Sequence, residues 1–239
     1  MQIFTTEKDL KLFLDSLRNN NIALVPTMGG LHEGHLSLVD KAKSLAQIVV
    51  VSIFVNPTQF ARGEDFDDYP NTFDSDKLLL ESKKVDALFL PSKDEIYPQG
   101  TKSDYKVGDI GQILCGAFRP THFNGVAQVV RRFFEIVNPN YAVFGEKDFQ
   151  QLLIIKSLVK NLNLKIKIES IPTQREEDGL AMSTRNQYLS DLDREKAPHF
   201  YSVLSDTRDA LLDGKSIYGA REDALNTLTK SFEVEYLEV

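Results

Sequence analysis

The chain has 239 residues, 42% hydrophobic and 26% charged, with a formal net charge of −7. That length suits one large domain, or one domain with a small appendage, and the ordinary composition excludes a disordered or collagen-like chain. The negative balance argues against a large nucleic-acid surface, which must neutralise phosphates with basic groups, but permits a local pocket for a small phosphorylated ligand.

The amino terminus, MQIFTTEKDLKLF, has no basic segment followed by an apolar one, so no secretory signal is expected. IALVP (22–26) reads as a strand. In the segment behind it, Leu31, Leu38, Val39, Ala42, Leu45 and Ala46 recur at helical intervals. IVVVSIFV (48–55) is apolar on both faces, as in a buried parallel strand, and is too short to cross a membrane. DSDKLLLESKK reads as a helix leading to the strand VDALFLP (85–91). Residues 91–123, rich in Pro and Gly, predict loops over one edge. They contain the single cysteine, Cys115, which cannot form an internal disulfide; this suits a reducing, cytoplasmic compartment, and the thiol reads as incidental. GVAQVVRRFFEIV then reads as a helix, YAVFG (141–145) as a strand, FQQLLIIKSLVKNL as a helix and KIKIESIP (165–172) as a strand. Beyond 190 the chain is helical and charged and ends in a strand-like VEYLEV.

Five strands with intervening helices predict an α/β fold, a doubly wound parallel sheet, over residues 1–170. Residues 171–239 are expected to form a small α+β domain. Doubly wound sheets bind ligands at the carboxyl ends of their strands. Four polar clusters obey that rule: PTMGGLHEGH, NPTQF, GEKDFQQ and QREEDGLAMSTRN each follow a predicted strand.

In the first cluster two of only four histidines, His32 and His35, lie three apart behind Gly29 and Gly30. With a helix beginning near Leu31, both fall in its first turn and share a face. The glycines let backbone approach a ligand, the helix start favours anions, and the imidazoles can donate to phosphate, more strongly when protonated. The alternative is two surface histidines. Zinc is disfavoured, because helical zinc pairs want a four-residue spacing and a third ligand. Lys147 and Asp148 can meet phosphate and a ribose hydroxyl, with Gln150 and Gln151 supplying amides; an ordinary helix start is the alternative. Ser183, Thr184, Arg185 and Asn186 can clamp a leaving diphosphate or form a polar connection. Asn56 and Gln59 suit a small polar substrate, or a turn. In the acidic stretch 63–76, Asp76 or a neighbour can hold Mg²⁺, although a solvated loop accounts for most of these carboxylates. From these residues alone the reading stops at an ATP-using α/β enzyme.

Taken in order, PTMGGLHEGHLSLV, VSIFVNPTQF, YPNTFDSD, EIYPQG, FRPTHFNGV, FGEKDFQQL and DGLAMSTRNQYLS resemble the pantoate–β-alanine ligase (pantothenate synthetase) family over about residues 20–190. The histidine pair is shared with a broad nucleotidylyltransferase-like superfamily, whereas FVNPTQF and GEKDFQQ are far more specific. The resemblance implies a Rossmann-like domain for ATP and pantoate, with a small carboxy-terminal lid. It implies ligation of pantoate and β-alanine through a pantoyl adenylate, with Mg²⁺ accompanying ATP, in a homodimer with no nucleic-acid or membrane partner. By position, Met28, Gly29, Gly30, Leu31, His32, Glu33, Gly34 and His35 match the first ATP segment, with His35 at the proton donor. Gly145, Glu146, Lys147 and Asp148 match the second, and Met182, Ser183, Thr184 and Arg185 the phosphate-holding signature. Gln174 falls at a backbone contact to adenine. Gln59 matches a contact to pantoate and the β-alanine site, and Gln151 a second pantoate contact. His32, His35, Lys147 and Arg185 are the expected catalytic set. Departures are Thr184 for a common Ser, Asn71 for a frequent Arg, Asn124 for a common Arg or Asp and Cys115 for a common Glu. The family also commonly continues past VEYLEV, so the lid reads as shortened.

Overall fold

The computed structural model describes residues 1–17, 19–61, 63–102 and 105–239. They divide into two compact units, Met1–Thr173 and Gln174–Val239.

The first unit is built on one six-stranded sheet: β1 (Gln2–Phe4), β2 (Ile22–Thr27), β3 (Ile48–Ile53), β4 (Ala87–Phe89), β5 (Tyr141–Gly145) and β6 (Lys167–Ile171). The strand order is β1-β4-β3-β2-β5-β6, with every pairing parallel. Its helices are α1 (Glu7–Asp15), α2 (Glu33–Leu45), α3 (Phe73–Ser82), α4 (Lys93–Ile96), α5 (Cys115–Phe118), α6 (His122–Val137) and α7 (Phe149–Asn161). Successive strand residues point to opposite faces, so the continuous apolar runs of β2 and β3 supply two cores. Ala23, Val25, Val49 and Val51 pack against Leu38, Val39 and Ala42 of α2 and Leu80 of α3. Leu24 and Val50 face the other way, onto Leu10 and Leu14 of α1, Phe133 and Phe134 of α6, and Leu152, Ile155 and Leu158 of α7. Leu24 is fully buried, which contributes about 1.5–3 kcal/mol relative to exposure.

The doubly wound α/β expectation holds, with differences in detail. A sixth strand is present: β1 spans three residues and pairs only with β4, so it has no run long enough to read. Between 91 and 123 the chain is irregular but forms α4 and α5.

The second unit contains α8 (Asp191–Lys196), α9 (Pro198–Leu212) and α10 (Ile217–Leu228). Val203, Ala224, Leu228 and Leu237 form its core. Its only β-pairing among the described residues is an isolated antiparallel bridge, Arg175 with Ala181, so the expected α+β character is corrected to helical. VEYLEV is not a strand: Leu237 is buried in the helical core and its carbonyl accepts from Arg221 Nε at 2.7 Å, and its backbone pairs with no strand among the described residues.

Candidate active site

The chain advances from β2 through β3 to β4, then crosses back and lays β5 on the other side of β2. Where strand order reverses, the connections leaving adjacent strands diverge and open a crevice at their carboxyl ends. β2 runs into Met28–His35 and β5 into the turn Glu146–Asp148, so both predicted ATP segments leave this switch point. β3, on the other side of β2, runs into the turn Pro57–Gln59, and Gln59 Nε2 reaches Met28 Sδ at 3.2 Å.

The histidine pair is more than two residues on one face. Helix α2 starts at Glu33, so His32 is its N-cap and His35 its third residue. Gly34 N–H donates to His32 Nδ1 at 3.1 Å, and His32 N–H donates to His35 Nδ1 at 3.3 Å. The rings lie 4.1 Å apart, centroid to centroid. This is a capping box in which imidazoles replace the usual hydroxyl and carboxylate. An imidazole whose Nδ1 accepts carries its proton on Nε2, so both rings keep Nε2–H as the free donor. Burial, the His32 ring and the Lys147 ammonium push His35 down to about 3, and burial and Lys147 lower His32. Before nucleotide arrives, the rings are therefore neutral hydrogen-bond donors at neutral pH.

The backbone of the preceding turn is also committed. Gly29 and Gly30 both have positive φ, 84° and 63°. The N–H groups of Gly30 and Leu31 donate to Asp76 of α3 at 2.9 and 2.8 Å. Asp76 is only 1% exposed and both its carboxylate oxygens are occupied, so it does not fit the role of Mg²⁺ ligand considered above. Among the described residues no cluster of three or more His, Cys, Asp or Glu is placed to hold a metal ion.

Asn56 is 1% exposed. Its Oδ1 accepts from Tyr97 Oη at 2.7 Å and Thr58 Oγ1 at 3.0 Å, while Nδ2 donates to Gln59 Oε1 at 3.1 Å and the Gly125 carbonyl at 3.2 Å. With both ends of its amide engaged, Asn56 anchors the Gln59 side chain instead of facing a substrate as expected. The Gln59 carbonyl is held as well: it accepts from His122 Nδ1–H at 2.7 Å and from Arg119 at 3.3 Å, and Arg119 is paired with Glu64. Burial lowers His122, keeping it neutral. The sequence reading assigns Arg119, His122 and Tyr97 no role; FRPTHFNGV marks the segment of the first two, but the Gln59 carbonyl they share lies 60 or more residues away. Cys115 is half-exposed and lies near the Arg119 guanidinium.

Lys147 is exposed and lies near enough to lower both histidines. Asp148 lies 3.7 Å from Lys147 and is exposed, and Glu146 accepts from Ser170 Oγ at 2.8 Å. Gln150 does not join the cluster, because its Nε2 donates to the carbonyls of Ile110 and Ile113 at 2.6 and 2.8 Å. The side chain of Gln151, half-buried in the first turn of α7, makes no hydrogen bond to the described residues. In the second unit, Met182 N–H donates to the Gln174 carbonyl at 2.9 Å, closing a small hairpin around Gly179. Arg175 stacks on Tyr201, 3.4 Å from its ring centroid. Ser183 Oγ accepts from Arg185 N–H at 3.3 Å; Met182, Ser183 and Thr184 are half-buried and the Arg185 side chain is exposed.

An all-parallel α/β unit with a histidine pair, a lysine and an amide cluster gathered at its switch point defines the class: a nucleotide-site architecture of the doubly wound type. The profile of the pantoate-beta-alanine ligase family matches residues 2–239. A pantothenate synthetase of Ruthia magnifica subsp. Calyptogena magnifica is 52% identical over 222 residues, covering 93% of this chain and 80% of that protein. The crystal structure of the Thermus thermophilus pantothenate synthetase is similar with a TM-score of 0.93 and 43% identity, covering 99% of this chain and 86% of that one. A Francisella tularensis pantoate-beta-alanine ligase, complexed with beta-gamma ATP and beta-alanine, gives a TM-score of 0.87 at 39% identity, covering 100% of this chain and 90% of that one. The chain belongs to the pantoate-beta-alanine ligase family.

Proposed function

We propose that this chain joins pantoate to β-alanine at the expense of ATP, through a pantoyl adenylate, releasing diphosphate and AMP. The observation that carries the reading is the convergence of two neutral Nε2–H donors and Lys147 on the switch point of the sheet, beside the held Gln59.

In the first step a pantoate carboxylate oxygen attacks the α-phosphorus, forming the acyl–phosphate bond and breaking the bond to diphosphate. Both reactants are anionic, so the site must offset repulsion and stabilise the charge gathering on the leaving group. His32 and His35 donate to phosphate oxygens from Nε2, while Lys147 supplies positive charge as an ammonium. A carboxylate nucleophile has no proton to lose, so neutral histidines serve this step without acting as bases. Binding a polyanion beside His35 raises its affinity for a proton. That lets it serve as a proton donor in the complex although it is neutral without nucleotide. Mg²⁺ enters on the phosphates as part of the substrate Mg·ATP. Met28–His35 and Gly145–Asp148 form the ATP segments, and Gln59 and Gln151 offer amides to pantoate. Gln174 contributes a backbone contact to adenine. In the second step the neutral amine of β-alanine attacks the acyl carbon and AMP leaves, with no protein nucleophile required.

We assign residues 174–239 the part of a lid, with Ser183, Thr184 and Arg185 meeting the departing diphosphate. A homodimer and a cytoplasmic location belong to the same reading and rest on the family resemblance. No helix among the described residues is long and apolar enough to cross a membrane.

The test is diphosphate release from Mg·ATP with and without pantoate, each with and without β-alanine, quantifying AMP and pantothenate. Pantothenate formed in step with AMP, only when β-alanine is present, supports the reading. ATP turnover that ignores pantoate overturns it.

A further inference from the structure

Of the residues fully buried in the described structure only three are polar, Ser52, Asn56 and Asp76, and Asp76 is the only carboxylate. Burying a carboxylate is costly unless its oxygens are satisfied. Those of Asp76 accept the N–H groups of Gly30 and Leu31 at 2.9 and 2.8 Å and the Thr72 hydroxyl at 3.1 Å. The two amides are consecutive and belong to a turn in which Gly29 and Gly30 have positive φ. Consecutive amides converging in such a turn form an anion-binding concavity of the kind that elsewhere cradles phosphate. Here a side chain of the same protein, 45 and 46 residues away in sequence, fills it. The fit is close, since a methyl group on Gly29 would sit 3.1 Å from Asp76 Oδ2 and 3.1 Å from Ile53 Cγ2.

The residue after this turn is His32, whose own N–H donates to His35 Nδ1. The chain of contacts runs from Asp76 to the 30–31 amides, to the His32 backbone, to the Nδ1 of His35. We propose that Asp76 is a positioning residue for the adenylation step: an internal anion that occupies the backbone cradle, keeps phosphate out of it, and sets the turn so that both histidines present Nε2–H to the nucleotide. The inference rests on the function proposed above, and it explains why phosphate is met here by imidazole and ammonium instead of by amides at the helix start.

The experiment compares wild type, Asp76→Asn and Asp76→Ala. Asn keeps the shape but turns an amide donor toward a backbone donor; Ala vacates the cradle. Circular dichroism establishes folding first. In the folded variants, kcat for pantoate-dependent diphosphate release should fall by about 10²-fold, the scale of a misplaced reacting group, with much less change in KM for ATP. Formate added to Asp76→Ala should restore turnover saturably, because a small carboxylate can reoccupy the cradle. Two-bond ¹H–¹⁵N spectra should show His35 as a single Nε2–H tautomer in wild type and a mixture in Asp76→Asn. Should Asp76→Asn not fold, Thr72→Val, which removes one donor to the same carboxylate, takes its place with a smaller expected loss. Wild-type turnover with no change in the imidazole spectrum would overturn the proposal, and so would a loss of turnover that formate does not restore alongside an unchanged His35 tautomer. The spectra need no substrate, so inactivity of the wild type would count against the ligase reading while the tautomer still judges Asp76.

Discussion

Replacing His35 with Gln should remove a pH dependence of stability that this ring imposes on the folded chain. Its pKa is pushed down from 6.5 to about 3 by burial, by His32 and by Lys147. Above pH 6.5 the ring is neutral in both folded and unfolded states and contributes no pH dependence. As pH falls below 6.5 the unfolded chain takes up a proton that the folded chain refuses until about pH 3, so stability is lost progressively across that window. The slope approaches about 1.36 kcal/mol per pH unit below pH 6.5, summing to about 2 kcal/mol between about pH 7.5 and 5. That range lies above most carboxylate titrations and isolates the histidines. The sequence has no tryptophan, so urea unfolding is best followed by far-ultraviolet circular dichroism, for wild type and His35→Gln at half-unit steps from about pH 7.5 to 5. Gln retains an oxygen to accept the His32 N–H and an amide to donate, so the capping geometry survives. The difference in unfolding free energy between the two proteins should change by about 2 kcal/mol over the window, wild type losing more on acidification. A constant difference would mean that His35 titrates normally in the folded protein, and the argument that burial, His32 and Lys147 hold it neutral would fall with it.

Three further outcomes are expected. Lys147→Ala should lower turnover by about 10²–10³-fold, as for loss of one preorganised charge-stabilising donor; near-normal turnover of the purified protein would remove Lys147 from the mechanism. A Cβ at Gly125 would lie 2.2 Å from the Thr58 carbonyl oxygen and 2.5 Å from its carbon. Gly125→Ala should therefore push α6 off the 57–59 turn, costing about 1–3 kcal/mol in urea titrations and raising KM for pantoate. An unchanged midpoint and KM would contradict that packing. Amide hydrogen exchange over residues 178–190 should slow when ATP and pantoate are added together, whereas exchange that ignores both substrates would end the lid assignment.

Much of the sheet is legible locally. IALVP and IVVVSIFV are apolar on both faces and became the two central paired strands β2 and β3, because a parallel strand covered on both sides cannot alternate. The helical spacing after residue 31 likewise anticipated α2, whose Leu38, Val39 and Ala42 are buried. By contrast β1 and the tail VEYLEV could not be judged from their own residues. The first is a strand because the edge of β4 is available to it, and the second pairs with no strand among the described residues.

The candidate site divides the same way. Residue type and position after a strand end picked out the histidine turn, Gln59 and Lys147, since strand ends and helix starts are local features that a sequence displays directly. Which atoms those residues commit to each other is a matter of tertiary placement. Asp76 reads as one carboxylate in an acidic stretch until α3 brings it to Gly30 and Leu31; Asn56 reads as a ligand contact until Tyr97 and Gly125 close on it. Chemical types and their order along the sheet are legible in the linear chain. Which donors remain open to a substrate follows from folding, because each hydrogen bond made across 45 to 60 residues withdraws an atom from the site, and no local pattern encodes that pairing.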